Sequence, residues 1–317
     1  MLTIFPPITP YATWHLPVTP PHELYIEECG NPVGLPVLFL HGGPGLGFTE
    51  DSRSWFDPER YRIILFDQRG VGRSSPHAEL LHNNTQALVE DIEAIRKKLG
   101  IKRWVIFGAD WGATLGLVYA QTWPQHVMAM IVGAPLLGDK EDREWLYSAG
   151  GVGRIFPDYW EDFMAPIPKA QHHHAIYEYH ELLTSENEIE ATRAAEAWAE
   201  WGARCARLVF DSAYVAKQTT PYKAVALARL ECHYVINNYF LEPGQILRNM
   251  LKIQDIPALL IHGRYDMISP LKNSWDLHKS WPRSELYIVP ESGHSASEPG
   301  MTHAYILATE KLAALLG

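Results

Sequence analysis

Gly108-Ala109-Asp110-Trp111-Gly112 stands between an apolar run, Trp104–Phe107, and the helical pattern ATLGLVYAQTW. A G-x-nucleophile-x-G turn between a buried strand and a helix holds its middle residue in a strained backbone conformation, with its side chain exposed above the sheet. Serine is the usual occupant of the middle position; this chain carries aspartate. A carboxylate is already ionised at neutral pH. It attacks amides poorly, because an anhydride is a worse product than the amide. It does well at sp3 carbon bearing a strained or good leaving group, and the product is an ester on the enzyme.

His41-Gly42-Gly43-Pro44-Gly45 ends an earlier apolar run. Its Gly43 N–H, with the N–H of Trp111, is expected to form an oxyanion hole. Asp266 follows the run ALLIHGR, and His294 follows ELYIVPE. All three groups thus come directly after predicted strands, where a parallel sheet places its site. In this reading His294 activates water to attack the ester carbonyl of Asp110, and Asp266 orients the imidazole.

The elements that must position these groups are short apolar runs at 36–45, 61–70, 103–112, 126–135, 256–266 and 284–294. Continuous apolar runs bounded by Gly or Asp suit strands buried on both faces. Between the second and third, NTQALVEDIEAIRKKLG reads as an amphipathic helix capped by Asn84, with Leu88, Ile92, Ile95 and Leu99 on one stripe and Gly100 as its stop. Strand, helix, strand in this rhythm predicts a parallel sheet with right-handed crossovers. From 136 to 250 the runs vanish and helical, aromatic-rich patterns replace them. That stretch holds eight of the fifteen tyrosines and four of the eleven tryptophans, and is expected to build an aromatic pocket. A last helix is expected over about 301–316. The order nucleophile, acid, histidine is that of an α/β-hydrolase. The expected architecture is an α/β core over 1–135 and 251–317, with a helical cap domain over 136–250.

Composition narrows the partners. The 317 residues carry 27 Lys plus Arg against 37 Asp plus Glu, a net charge of −10. Such an excess argues against nucleic acid and anionic membranes. Cys29, Cys205 and Cys232 are scattered, without a CxxC, and read as apolar fillers. His172-His173-His174 lacks metal-ligand spacing and reads as a solvated loop or helix end. No metal or cofactor is expected. The proline-broken N-terminus does not read as a signal peptide and no run of 18 apolar residues occurs, so a cytoplasmic enzyme acting on a small molecule is expected.

HGGPG, DQRGVGRSSPH at 67–77, VIFGADWGATLGL, GRYDMISP at 263–270 and ESGHSASEP at 291–299 resemble the proline iminopeptidase family of α/β-hydrolases. The likeness runs from about residue 7 to the C-terminus. The family's elbow is GGSWGS, with serine as nucleophile; this chain has GADWGA. The resemblance implies two cap glutamates that hold a substrate amine. One, in a Trp-Glu-Gly motif, aligns with Trp201-Gly202-Ala203, so its carboxylate is missing. The other survives as Glu231 in ARLECHYV. Burying an ammonium takes charge pairing, so nucleophile and part of the amine site have changed together.

Two classes of substrate fit an aspartate here. Epoxide hydrolases use GxDWG and two cap tyrosines that protonate the epoxide oxygen. Haloalkane dehalogenases also carry Asp-Trp. The tyrosine-rich insertion tilts the reading to an epoxide, with Tyr147, Tyr159, Tyr214 and Tyr234 as candidates, and Tyr147 favoured because WLYSAG aligns with a pocket-lining segment of the family. Alternatives are a dehalogenase, an iminopeptidase-like peptidase with an altered nucleophile, ring opening by a nucleophile within the substrate with Glu231 holding a basic nitrogen, and an inactive ligand-binding homologue.

Overall fold

A computed structural model describes residues 1–317. Its strands are β1 (Ala12–Pro17), β2 (Glu23–Gly30), β3 (Leu35–Leu40), β4 (Tyr61–Phe66), β5 (Trp104–Ala109), β6 (Val127–Gly133), β7 (Ala258–Gly263) and β8 (Ser284–Val289). They form one sheet in the order β1-β2-β4-β3-β5-β6-β7-β8. β1 pairs antiparallel with β2, and β2 with β4. The other pairs are parallel. All six expected runs are strands.

The alternation of a pleated strand explains the core. Leu38, Leu40, Ile64, Phe66, Trp104 and Ile106 enter one apolar cluster. Val37, Phe39, Ile63, Leu65, Val105 and Phe107 enter a second on the opposite face. Helices cover both faces, which is why these runs are apolar throughout.

β1 and β2 were not expected. ATWHLP is mostly exposed and ELYIEECG carries three glutamates, so neither reads as a continuous apolar run. Glu27 and Glu28 are nevertheless buried. Arg53 and Arg73 neutralise Glu27, and Arg62 neutralises Glu28. A sequence shows such acids as a polar strand because their partners come from distant residues.

The expected helix is Thr85–Lys98, and the Asn84 side chain accepts the Ala87 N–H at 2.9 Å. Gly100 has φ +64°, the left-handed geometry that stops a helix cheaply. The last helix is Pro299–Leu316. Between β6 and β7 there is no strand but seven α-helices, of which Glu188–Cys205 and Pro221–Ile236 are the longest. The aromatic residues of this stretch mostly pack on one another. Phe163 lies 4.7 Å from Tyr179, 5.7 Å from Trp198 and 5.5 Å from Trp201, ring centre to ring centre. Most of them fill the interior of the helical layer, because seven helices need large apolar side chains between them, while Trp198 and Tyr214 also line a pocket.

Candidate active site

The elbow follows from its neighbours. β5 ends at Ala109 and the helix Trp111–Thr122 begins two residues later. Asp110 takes φ 56° and ψ −132°, a conformation costing about 1–3 kcal/mol for a residue with a Cβ. A Cβ on Gly108 would strike the backbone of Gly112, and one on Gly112 would strike the carbonyl of Leu40. The flanking glycines therefore let β5, the helix and β3 approach one another. The Gly43 N–H donates to Asp110 Oδ2 at 2.6 Å. Oδ1 faces His294 Nε2 at 3.8 Å, beyond a hydrogen bond.

His294 comes from the loop after β8, and Asp266 from the loop after β7. His294 Nδ1 lies 2.8 Å from Asp266 Oδ2. The N–H groups of Ile268 and Ser269 donate to Asp266 Oδ1 at 2.8 and 2.9 Å. A second imidazole, His262, is buried with its Nε2 3.2 Å from Asp266 Oδ2. Asp110, Asp266 and His294 thus form one line at the carboxyl ends of neighbouring parallel strands.

The electrostatics follow from burial and charge. Burial raises the Asp110 carboxyl, opposed by His294 and by the amides of Gly43 and Trp111. Burial disfavours the ionised form of Asp266, but His294 and His262 overcome it and hold that carboxyl well below the usual range. Burial alone would lower His294; Asp266, Asp110 and Glu231 override it and push the imidazole up to about 9. The raised imidazole of His294 thus lies between the carboxyl groups of Asp110 and Asp266.

A pocket of about 80 Å³ opens on Asp110 and His294, lined also by Gly43, Leu146, Trp198, Ala203, Tyr214, Leu227, Glu231 and Ile268. A wider cleft of about 290 Å³ shares Asp110, Tyr214, Gln218 and His294 with it. Asp110 thus stands where an outer cleft meets an inner, mostly apolar pocket.

The structure brings together only some of the expected binding residues. Tyr214 and Glu231 line the pocket. Tyr147 is behind Glu231: its hydroxyl donates to Glu231 Oε1 at 2.9 Å, and Trp198 Nε1 donates to Oε2 at 2.8 Å. Tyr234 is buried against Trp111 and its hydroxyl donates to Asn83 Oδ1. Tyr159 lies under the Arg204 guanidinium and stacks on Phe156. Of the four tyrosines only Tyr214 lines the pocket with Asp110, together with the carboxyl of Glu231. The reason is the register of the helices, which no composition count reveals.

Gln68 is a residue the sequence reading left without a role. Its N–H donates to His41 Nε2 and its Nε2 to the His41 carbonyl, both at 3.0 Å. Its Oε1 accepts the Trp111 indole N–H at 2.9 Å. One side chain thus ties the HGGPG loop to the elbow. Its place inside DQRG was the available signal. Trp198 carried none.

No group of three or more His, Cys, Asp or Glu side chains is placed to hold a metal ion, and the three cysteines are buried and free. No helix is long and apolar enough to cross a membrane.

Residues 36–300 match the family model described as alpha/beta hydrolase fold. The chain is 45% identical over 311 residues to a proline iminopeptidase of Xylella fastidiosa (strain Temecula1 / ATCC 700964), covering 98% of this chain and 99% of that one. It is 43% identical over 317 residues to a proline iminopeptidase of Arabidopsis thaliana, covering 99% and 83%. Among solved structures, an esterase, RhEst1, from Rhodococcus sp. ECU1013 matches with TM-score 0.66 at 15% identity, over 96% of this chain and 99% of that one. A proline iminopeptidase from Mycobacterium smegmatis matches with TM-score 0.60 at 19% identity, over 96% and 100%. The last two likenesses bear on the fold.

Proposed function

We propose that this chain, which belongs to the α/β-hydrolase family and within it to the proline iminopeptidase-like members, uses Asp110 as a carboxylate nucleophile to open an epoxide. The observation that carries the proposal is Asp110 itself, at the strained elbow, with one oxygen held by Gly43 and the other free toward His294. We read 136–250 as a cap over 1–135 and 251–317.

The atoms divide the work. Oδ1 attacks a ring carbon, the carbon–oxygen bond of the ring breaks, and the freed oxygen takes a proton. Oδ2 becomes the ester carbonyl. Ester formation removes the charge of Asp110, one of the charges that hold the proton on His294. The imidazole then falls toward the range of a base. It takes a proton from water as that water attacks the ester carbonyl, while Asp266 stabilises the imidazolium. The charge that develops on Oδ2 already has the Gly43 N–H at 2.6 Å. Expulsion of the alkoxide, with protonation, gives the diol and restores Asp110.

Single turnover in H₂¹⁸O tests this. The label should enter the peptide that contains Asp110, and the diol should carry none. Unlabelled Asp110 with labelled diol would overturn the ester. Asp110→Asn should lower turnover by about a thousandfold or more.

The relatives' names favour a second reading, a peptidase that releases N-terminal proline. Glu231 is compatible with it, but Gly202, where the second carboxylate would stand, leaves open space beyond its Cα. An aspartate would also have to form an anhydride from an amide. Release of proline from a prolyl amide, lost on Asp110→Asn, would replace the epoxide reading with this one.

A further inference from the structure

Ring opening makes a second demand that Asp110 and His294 do not meet. The oxygen leaves on the side of the carbon opposite the attacking carboxylate, so its proton must come from across the pocket. Tyr234 and Tyr159 have their rings and hydroxyls elsewhere, the Tyr147 hydroxyl points at Glu231, and Tyr214 is the one tyrosine among the four that lines the pocket. Apart from Asp110, Glu231 is the only carboxyl group lining the inner pocket. We propose that Glu231, in its carboxylic acid form, protonates the oxygen released when Asp110 opens the ring. This rests on the epoxide reading above.

The surroundings of Glu231 suit an acid. Trp198 Nε1 is a donor only, so Oε2 is fixed as an acceptor and the proton sits on Oε1, beside the Tyr147 hydroxyl, which can also accept. Burial pushes the carboxyl up to about 7; Asp110 raises it, and Trp198, Tyr147 and His294 oppose the rise. Tyr239, from the segment after the helix Pro221–Ile236, and Cys232 beside it also face this carboxyl and stay neutral. After transfer, the carboxylate keeps both donors, at 2.9 and 2.8 Å. In the second step His294 takes a proton from water and releases it to solvent, and Glu231 regains one, so the sum is epoxide plus water to diol.

The test uses His294→Gln, in which the ester forms but is not hydrolysed, with styrene oxide as probe and intact mass as readout. The rate of adduct formation on Asp110 should fall as pH rises through a limb above about 7, displaced upward because the imidazolium that opposes the rise is gone. Adding Glu231→Gln should slow adduct formation by about 100-fold or more and abolish that limb. An unchanged rate and limb would overturn the role of Glu231 and leave the epoxide reading standing. The same losses on Tyr214→Phe, but not on Glu231→Gln, would move the role to Tyr214. A limb absent from the parent His294→Gln chain would overturn the inference without relying on the folding of a double variant. No adduct at all would overturn both readings.

Discussion

Asp110 joins two costs in one residue, a backbone at φ 56° and a carboxylate largely withdrawn from water, against one gain, the hydrogen bond from Gly43. Such a position is kept for chemistry at the expense of stability. Glycine adopts this backbone without strain. Asp110→Gly should therefore abolish turnover yet raise Tm by a few degrees, which calorimetry at neutral pH would show; a lower Tm would mean that the hydrogen bond from Gly43 outweighs the strain. The elbow was legible in the sequence because glycine spacing reports backbone geometry directly. Tyr147 was not, because spacing along a helix does not say whether a side chain reaches the cavity or the residue in front of it. Glu231 and Tyr147 come from segments 84 residues apart and meet only after folding.

At the scale of elements, apolar runs and caps gave six strands, the helix Thr85–Lys98 and the last helix. β1 stayed hidden because it is mostly exposed, and β2 because its buried acids Glu27 and Glu28 are neutralised by arginines from distant parts of the chain. The loops after the strands matter more to the site than the strands do. Gln68, in the loop after β4, holds the loop after β3 against the helix after β5. Gln68→Ala leaves the buried Trp111 N–H without its acceptor, which costs about 1–3 kcal/mol. A lower Tm is expected, with hydrolysis of the ester slowed more than its formation, because the Gly43 N–H loses its setting. Equal slowing of both steps in stopped-flow would show that the loop does not depend on Gln68.

Across the whole molecule, the pH dependence of stability follows from three groups of the site, Asp266, His294 and Glu231. Asp266 is held below its ordinary value of 3.8, so its contribution is present above that value and lost as pH falls below it. His294 is raised from 6.5 to about 9, so its contribution is full below about 6.5 and lost as pH rises through about 9. Glu231 is raised from 4.5 to about 7, so its ionisation also opposes folding as pH rises through that interval. The stability maximum should lie on the acidic side of neutrality, between about pH 4 and 4.5, where all three contributions are full. Glu231→Gln should raise Tm by a few degrees at pH 8 to 9 relative to the unmodified chain and have little effect near pH 4.5, measured by scanning calorimetry across pH. A uniform shift at all pH values would show that packing, not ionisation, dominates.

The Ala206 carbonyl ends the helix Glu188–Cys205 and accepts the N–H groups of both His294 and Ser295 at 2.9 Å. It satisfies the end of a helix, and it also fastens the loop of His294 to the helical layer that lines the pocket. If that layer swings away to admit a substrate, both bonds break and the imidazole is freed with it. Under the proposed mechanism the two events would form an interlock: the base would be in place only when the door is shut, and an open molecule would hold Asp110 without the means to finish the reaction.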